Sequence, residues 1–335
     1  MKNIFYILIV VILFGGCSSR EYFTPNPKKV EKPIYFDKEM NNTIIFFTRK
    51  VATLDNYTLL PSNKKIPKGF LALSNDLSKN GTILRVDGKN IKFDKLIVTA
   101  SKKGNLLAIL FGDNHFELYD LKQHKTISSL SFDRFVAIRK FIASPYFYKD
   151  LLLIPTLDGK LVIYDLKQQK MIRSIIVSDK DYFNNIIYLG VKNDNLIVAS
   201  RDNLIIISPT MVINNKYNIK HILVTDDYIY LFTIEGKVIK LNFDLKVLKE
   251  KNFKYANILA PMIYDNNIYF LSRGNKSYLI KLNKSLDDYS VTPLKVKIDE
   301  DERLCNEKVE KLYLKTNIFS KNGIFYIGDY KLKVK

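Results

Sequence analysis

A unit of strand, turn and strand recurs along this chain at intervals close to 40 residues. The clearest copies are Phe116–Lys125 (FELYDLKQHK) and Leu161–Lys170 (LVIYDLKQQK). An apolar strand and a short turn precede each copy, with Gly112–Asn114 as the first turn and Asp158–Lys160 as the second. A strand-rich repeat of this length is typical of β-propeller blades, which are small sheets that bury their faces against each other.

Weaker copies continue the pattern toward the C-terminus. If Phe116 and Leu161 are equivalent positions, the next equivalents are Leu204, Val238 and Tyr278, and the spacings are 45, 43, 34 and 40 residues. Between these positions, runs of Ile, Val, Leu, Tyr and Phe alternate with turns rich in Asn, Asp, Gly and Lys. Such runs predict short strands throughout, and no segment keeps a helical period.

The length of the chain bounds the number of blades. At about 40 residues per blade, the segment 34–335 has room for seven or eight. We therefore predict an all-β fold, a β-propeller of about seven (or eight) four-stranded blades. We also predict that the last strand, within Gly323–Val334, pairs with a strand around Thr43–Thr48, because closing the ring removes exposed sheet edges.

The turn and strand Asp158–Asp165 (DGKLVIYD) and its copies resemble the repeat core of PQQ-like and WD40-like propellers and, among lipoproteins, of the BamB type of outer-membrane assembly factor. The resemblance covers roughly 95–282. For the BamB type it implies a non-catalytic scaffold that binds proteins through loops on one face. PQQ-type repeats usually end in Trp, which this chain lacks. The calcium site and adjacent cysteines of quinone-dependent dehydrogenases are also not readable, so no such cofactor is expected.

The N-terminus has the features of an export signal. Lys2 precedes the apolar run Ile4–Phe14, which is too short to span a bilayer as a helix of about 20 residues. Leu13–Cys17 (LFGGC) resembles a lipobox, which implies cleavage before Cys17 and a lipid on its thiol. Ser18 stands where Asp would resemble an inner-membrane retention signal, so the outer membrane is expected.

The anchor divides the chain into three predicted segments. These are a lipoprotein signal peptide (1–16), a lipidated Cys with a Pro-rich tether (17–33) and the propeller (34–335). The tether contains Pro25, Pro27 and Pro33, and Pro-rich segments act as extended spacers.

The formal net charge is +19 at neutral pH. The export signal and the scattered positions of the lysines argue against nucleic acid as a partner. Two interpretations stay open. Lysines protect exposed strand edges, or they attract an anionic lipid surface or polymer.

No catalytic or metal-binding constellation can be read from the sequence. His115, His124 and His221 stand alone, without ligand spacing. The acidic run Asp299–Glu302 lacks the alternating oxygens and the glycine of a calcium loop. We expect no catalytic residue, no metal and no cofactor.

Two single residues complete the candidates. Asn41, in Glu39–Thr43 (EMNNT), resembles an acceptor of bacterial N-glycosylation. Cys305 has no intramolecular disulfide partner once Cys17 carries lipid.

Together these features predict a periplasm-facing, lipid-anchored scaffold of the outer membrane that binds proteins, with the β-barrel assembly machinery as the suspected partner. Two alternatives remain. A propeller enzyme or carbohydrate-binding protein would need acids or histidines converging at the central channel. A surface adhesin would bind anionic polymers through the lysine excess.

Overall fold

The computed structural model describes residues 21–36, 70–74, 76–137, 142–296, 318–327 and 330–334. These residues form 28 strands in seven sheets, with one 3-10 turn at Pro27–Lys29. Within each sheet, strands that follow each other in sequence pair antiparallel, as a meander. The predicted all-β propeller of repeated blades is confirmed, and we number the sheets as blades I to VII.

Seven blades contain the strands of the described residues. Blade I consists of β2 (Leu71–Ala72), β3 (Leu77–Asn80), β4 (Ile83–Val86) and β5 (Lys89–Lys92). Blade II consists of β6 (Ile97–Lys103), β7 (Leu106–Phe111), β8 (His115–Asp120) and β9 (Lys125–Ser131). Blade III consists of β10 (Tyr146–Tyr148), β11 (Leu151–Pro155), β12 (Lys160–Asp165) and β13 (Lys170–Ile176). Blade IV consists of β14 (Tyr188–Lys192), β15 (Asn195–Ala199), β16 (Asn203–Ile207) and β17 (Val212–Lys216). Blade V consists of β18 (Ile219–Val224), β19 (Ile229–Thr233), β20 (Lys237–Leu241) and β21 (Val247–Asn252). Blade VI consists of β22 (Asn257–Tyr264), β23 (Asn267–Arg273), β24 (Ser277–Asn283) and β25 (Tyr289–Val296), and β1 (Ile34–Phe36) pairs with β25 as an added strand. The described strands of blade VII are β26 (Ile318–Lys321), β27 (Ile324–Ile327) and β28 (Tyr330–Lys333).

The repeat read from the sequence marks one position in the blade. The five predicted equivalents are each the second residue of the third strand in blades II to VI, and each is buried. Leu84 in blade I occupies the same place. The side chain at this position must be apolar because it faces a neighbouring blade.

Apolar clusters fill the spaces between successive blades. Between blades II and III, Phe116 and Leu118 pack with Leu152 and Tyr164, all of them buried. Comparable clusters lie at each junction from blades I–II to VI–VII. Burying one such side chain contributes about 2–3 kcal/mol, so the contact between blades stabilises sheets that could not stand alone.

Glycines allow two turns between second and third strands to approach the chain that leaves the blade. Gly159 and Gly236 have φ values of +86° and +91°. A Cβ atom on Gly236 would lie 2.3 Å from the carbonyl oxygen of Phe253. That residue in turn donates its backbone N–H to the Gly236 carbonyl at 2.9 Å. The Asp-Gly and Glu-Gly turns are therefore required by backbone packing.

Blade VI gains a fifth strand from the N-terminus. β1 pairs in parallel with β25, with Ile34 opposite Leu294, and Val30 forms a further parallel bridge to Val291. The predicted spacer thus lies on the propeller from Glu21 onward. We call residues 21–36 the strap. A parallel edge partner was not expected, because the three prolines of this segment lack a backbone N–H. The residues between the prolines keep their backbone donors, and these allow the pairing.

Blade VII shows three strands among the described residues. Val334 donates its backbone N–H to the Gly323 carbonyl at 2.8 Å, as Phe253 does to Gly236. This pattern places β26 to β28 at the second to fourth positions of a blade. Thr43–Thr48 lies outside the described residues, so the closing pair stays a prediction. No helix in the described part of the chain has the length and apolarity to cross a membrane.

Candidate protein-interaction surface

Each blade has two ends, which gives the ring two faces. The turns between second and third strands, and the links to the next blade, lie at one end, which we call the link face. The other two turns of each blade lie at the opposite end, the hairpin face. Alternating turns of an antiparallel meander must separate in this way.

The strap is held on blade VI by an aromatic contact and by hydrogen bonds. The ring of Phe23 meets Phe253 and Tyr278 edge to face, with centroid distances of 6.1 and 5.8 Å. The Glu31 N–H donates to the Val291 carbonyl at 2.9 Å. The Glu31 carboxylate accepts from the Thr292 hydroxyl at 2.9 Å. Blade VI therefore binds an extended peptide along its outer edge.

The outer edges of blades III to V carry exposed apolar pairs instead. In each blade the pair stands where the outermost strand begins, next to the end of the third strand. The side chains are 44–54% exposed. We call this set the rim band: Met171, Ile172, Met211, Val212, Val247 and Leu248.

The chemistry of the rim band suits protein binding. Outermost strands present unpaired backbone groups, and apolar side chains there offer surface that a partner can remove from water. Polypeptides recognise such edges by adding a strand, with side-chain pockets giving specificity. The strap on β25 is an example of this mode within the same molecule.

Lysines of the hairpin face pair with aspartates of a neighbouring blade. Lys249 Nζ lies 2.5 Å from Asp287 Oδ1, between blades V and VI, and Lys149 Nζ lies 3.6 Å from Asp194 Oδ1, between III and IV. Further pairs of this kind are Lys102–Asp87 and Lys192–Asp226. Solvent screens these exposed pairs, so each contributes little to stability. Through these ion pairs, some of the many lysines of the chain contact a neighbouring blade.

The aspartates that recur at turns of the link face have structural partners. Asn114 joins blades II and III, because its Nδ2 donates to Asp158 Oδ1 at 2.8 Å and its Oδ1 accepts from the Leu157 N–H at 2.8 Å. Burial opposes ionisation of Asp158. Hydrogen bonds from Thr156, Asn114 and Lys160 outweigh it and hold the pKa of this carboxyl below its usual value.

Asp202 has the same kind of role at blade IV. Its Oδ1 accepts from the hydroxyls of Ser200 and Ser178 at 2.8 and 2.9 Å. Burial raises its pKa, but these bonds and the charge of Lys180 bring the pKa below the ordinary range. Asp158 and Asp202 therefore stabilise turns of the link face through hydrogen bonds.

The three histidines occupy separate environments. His115 lies beside Ser131 and Ser129 at 3.0 and 3.1 Å, His124 is in a turn with φ +51°, and His221 is buried on β18. Within the described ranges, no group of three or more His, Cys, Asp or Glu could hold a metal ion. The absence of enzyme activity stays a prediction.

Four sequence-predicted features lie outside the described residues. They are Cys17, Asn41, Cys305 and the run Asp299–Glu302. The structure therefore does not test lipidation at Cys17 or glycosylation at Asn41.

Sequence reasoning missed a cationic cluster on inner strands of the ring. Lys220, on β18, donates from Nζ to the Asn257 side-chain oxygen on β22. Burial, and then the charge of Arg273, lower the pKa of Lys220 to about 8. The available signal was a lysine next to a histidine within an otherwise apolar strand (IKHILV). The rim band had a signal too, since its members are adjacent apolar residues directly after turns.

Two curated proteins are similar over almost the whole chain. Both are called plasminogen-binding protein PgbB and come from Helicobacter pylori strains J99 and 26695. Each is 24% identical, over 397 and 398 aligned positions, and each alignment covers 99% of this chain and 72% of the relative. No family model matches the chain.

Solved structures share the fold. BamB from Moraxella catarrhalis aligns with a TM-score of 0.54 at 14% identity, over 66% of this chain and 76% of that one. The computationally designed Ika8 protein aligns with a TM-score of 0.50 at 10% identity, over 83% of each chain. This likeness confirms the predicted resemblance to BamB at the level of the fold.

Proposed function

We propose that this chain is a lipid-anchored propeller of the outer membrane that binds protein ligands and catalyses no reaction. The observation that carries the proposal is the match to PgbB over 99% of the chain, because the name of that protein states a protein ligand. Plasminogen is accordingly the first ligand to test. The anchor is the lipid on Cys17, for which the lipobox-like Leu13–Cys17 is the support.

The rim band is the surface that we assign to the ligand. Its apolar pairs stand at the same place in three successive blades, so a ligand that crosses them would bury a continuous apolar stripe. In blade VI the equivalent edge is covered by the strap. In blade II the equivalent position is the polar Thr126, opposite Tyr119.

The direct test is biolayer interferometry with plasminogen on the sensor and the full chain in solution. We expect saturable binding that weakens at least about tenfold in a Met171→Lys, Val212→Lys double variant, since charges on an edge strand oppose strand addition. Thr126→Lys, at the equivalent position of blade II, is the matched control and should bind as the parent does. Absence of binding, or an equal loss in the control, would reject the assignment.

The BamB-like fold favours a second candidate, a scaffold for β-barrel assembly. Affinity isolation of the lipidated chain from detergent extracts should then recover subunits of that machinery. A deletion strain should lose outer-membrane barrels. Intact barrel levels together with no recovered subunit would reject this candidate and leave the first untouched.

The side of the membrane that the propeller faces separates the two candidates further. Protease added to intact cells digests the chain only if it faces outward. Digestion favours an external protein ligand, and protection that ends on opening the outer membrane favours the assembly role.

A further inference from the structure

The strap shortens the distance between the proposed anchor and the propeller. Among the described residues, the first that contact the propeller are Glu21 and Tyr22, and residues 18–20 separate these from Cys17 in the sequence. Four residue steps reach at most about 14 Å when fully extended. The lipid on Cys17 would therefore hold one corner of the ring close to the bilayer, whereas a free tether of 17 residues would let the body turn in any direction.

That corner lies on the link face, where blades V and VI meet. Tyr22 packs on the turn at Gly274, where a Cβ would lie 3.2 Å from the tyrosine Cδ1. The link residues after β21 stand beside it, because Phe253 contacts Phe23 and the charge of Glu21 acts on Lys254. The neighbouring turn of blade V approaches the same link through Gly236.

Three large apolar side chains are exposed at this corner. Tyr22, Ile234 and Tyr255 are each 42% exposed. Exposed apolar residues continue around the same face on other links, at Leu96, Val136 and Tyr182. Aromatic residues, Tyr in particular, are enriched at membrane interfaces because the ring is apolar and the hydroxyl stays in contact with water.

The backbone at Tyr255 is strained. Its φ is +64°, a left-handed conformation that is unfavourable for a residue with a Cβ. Burial does not offset this, because the side chain points outward. Strain held at an exposed position is more frequent at functional sites than elsewhere.

Cations accompany these side chains. Lys254 Nζ lies 4.7 Å from the centroid of the Tyr255 ring, and Lys276 is exposed on the turn beside Tyr22. No carboxylate among the described residues forms an ion pair with either lysine. The acids nearby are Glu21 and Glu235, and the Glu235 carboxylate accepts from the Asn218 side chain at 2.5 Å.

We propose that this corner, formed by Tyr22, Ile234, Lys254, Tyr255 and Lys276, lies in the headgroup region of an anionic bilayer. The tyrosines enter the interface, and the two lysines near the surface are attracted to the anionic headgroups. The rim band begins at the opposite, hairpin face and stays available to a protein ligand. This inference rests on the proposed lipidation of Cys17 and deepens it by giving the orientation of the ring.

The chain contains no tryptophan, so one introduced indole reports its own depth. The probe is the full lipidated chain in vesicles of phosphatidylcholine and phosphatidylglycerol that contain brominated acyl chains. Tyr255→Trp reports the corner. The matched control is Leu248→Trp, on the same blade at the other face, where the native side chain is 44% exposed.

We expect bromolipid quenching to be at least about threefold stronger for Tyr255→Trp than for Leu248→Trp, with a blue-shifted emission. Adding Lys254→Glu and Lys276→Glu should reduce this difference, whereas Lys167→Glu with Lys246→Glu should not. The lipid on Cys17 is measured separately by intact mass. A lipidated chain with equal quenching at both positions would overturn the orientation alone. A chain without lipid would overturn the anchor and the orientation together.

Discussion

Replacing Lys220 by Met should stabilise the protein at neutral pH. The ammonium of Lys220 is largely buried near Arg273, and its pKa falls from 10.5 to about 8. In the unfolded chain the amine keeps its ordinary pKa, so folding weakens proton binding. Below pH 8 the lysine is charged in both states, and the whole difference of about 2.5 pKa units opposes folding, at about 3 kcal/mol.

The pH dependence distinguishes this mechanism from better packing. Between the folded and the unfolded pKa, the unfolded state binds more protons, and the stability of the parent therefore rises with pH. At about pH 10 the penalty shrinks to about 1 kcal/mol. Met cannot donate to Asn257, which lowers the gain by about 1 kcal/mol at every pH. The free energy of unfolding of the variant should therefore exceed that of the parent by about 2 kcal/mol at neutral pH. At about pH 10 the two free energies should be nearly equal.

Urea denaturation at several pH values measures this difference through the midpoint at equal slope. The control is Lys246→Met, since Lys246 is exposed on a turn of the same blade. We expect the control to change stability by less than about 0.5 kcal/mol, without pH dependence. A gain for Lys220→Met that stays constant from neutral to alkaline pH would refute the electrostatic reasoning, and so would a loss at neutral pH.

Three further predictions test the turns and the strap. Gly236→Ala should lower the free energy of unfolding by about 2–5 kcal/mol, because the new Cβ combines a left-handed φ with a clash against the Phe253 carbonyl. The control is Gly104→Ala, where φ is +59° and the space around the residue is open, and its free energy of unfolding should fall by only about 1–2 kcal/mol. Phe23→Ala should accelerate hydrogen exchange of the strap by about tenfold or more, since two aromatic pairs are lost, with little change in the exchange of blade III. Asp202→Ala should lose about 1–3 kcal/mol at neutral pH by removing the acceptor of two buried hydroxyls. Because the folded pKa of Asp202 is lowered, the part of its contribution that depends on the negative charge is complete above the ordinary carboxyl pKa and is lost as the pH falls through the folded pKa, so the loss of stability in the variant should be smaller in acid.

Much of the fold was predictable because each blade repeats one local solution. The period of apolar residues predicted strands, and the Asp-Gly turns predicted where they reverse. The position shared by Phe116 and Leu161 proved to be one register position of the third strand. Such features depend on contacts within a blade or with the next one, and short stretches of sequence encode them.

The candidate surface was less predictable. The sequence shows an apolar residue near a turn, such as Met171 or Tyr255, but it does not show whether that residue is exposed. Whether they are covered depends on which segment of the chain reaches that edge. Nothing in the composition of the strap indicated blade VI, since Pro25, Pro27 and Pro33 favour any extended path.

By itself, the sequence determined that the chain is a strand-rich repeat without a readable catalytic constellation, and it predicts an export signal. Those properties follow from periodicity, turn chemistry and residue type, which act over a few residues. The tertiary structure alone decided that the strap covers the edge of blade VI, whereas no strand of the described residues pairs with the outer edges of blades III to V. It also decided that Lys220 lies beside Asn257, 37 residues away. These outcomes depend on contacts between segments distant in sequence, where burial and electrostatics are set by the ring and not by the neighbours along the chain.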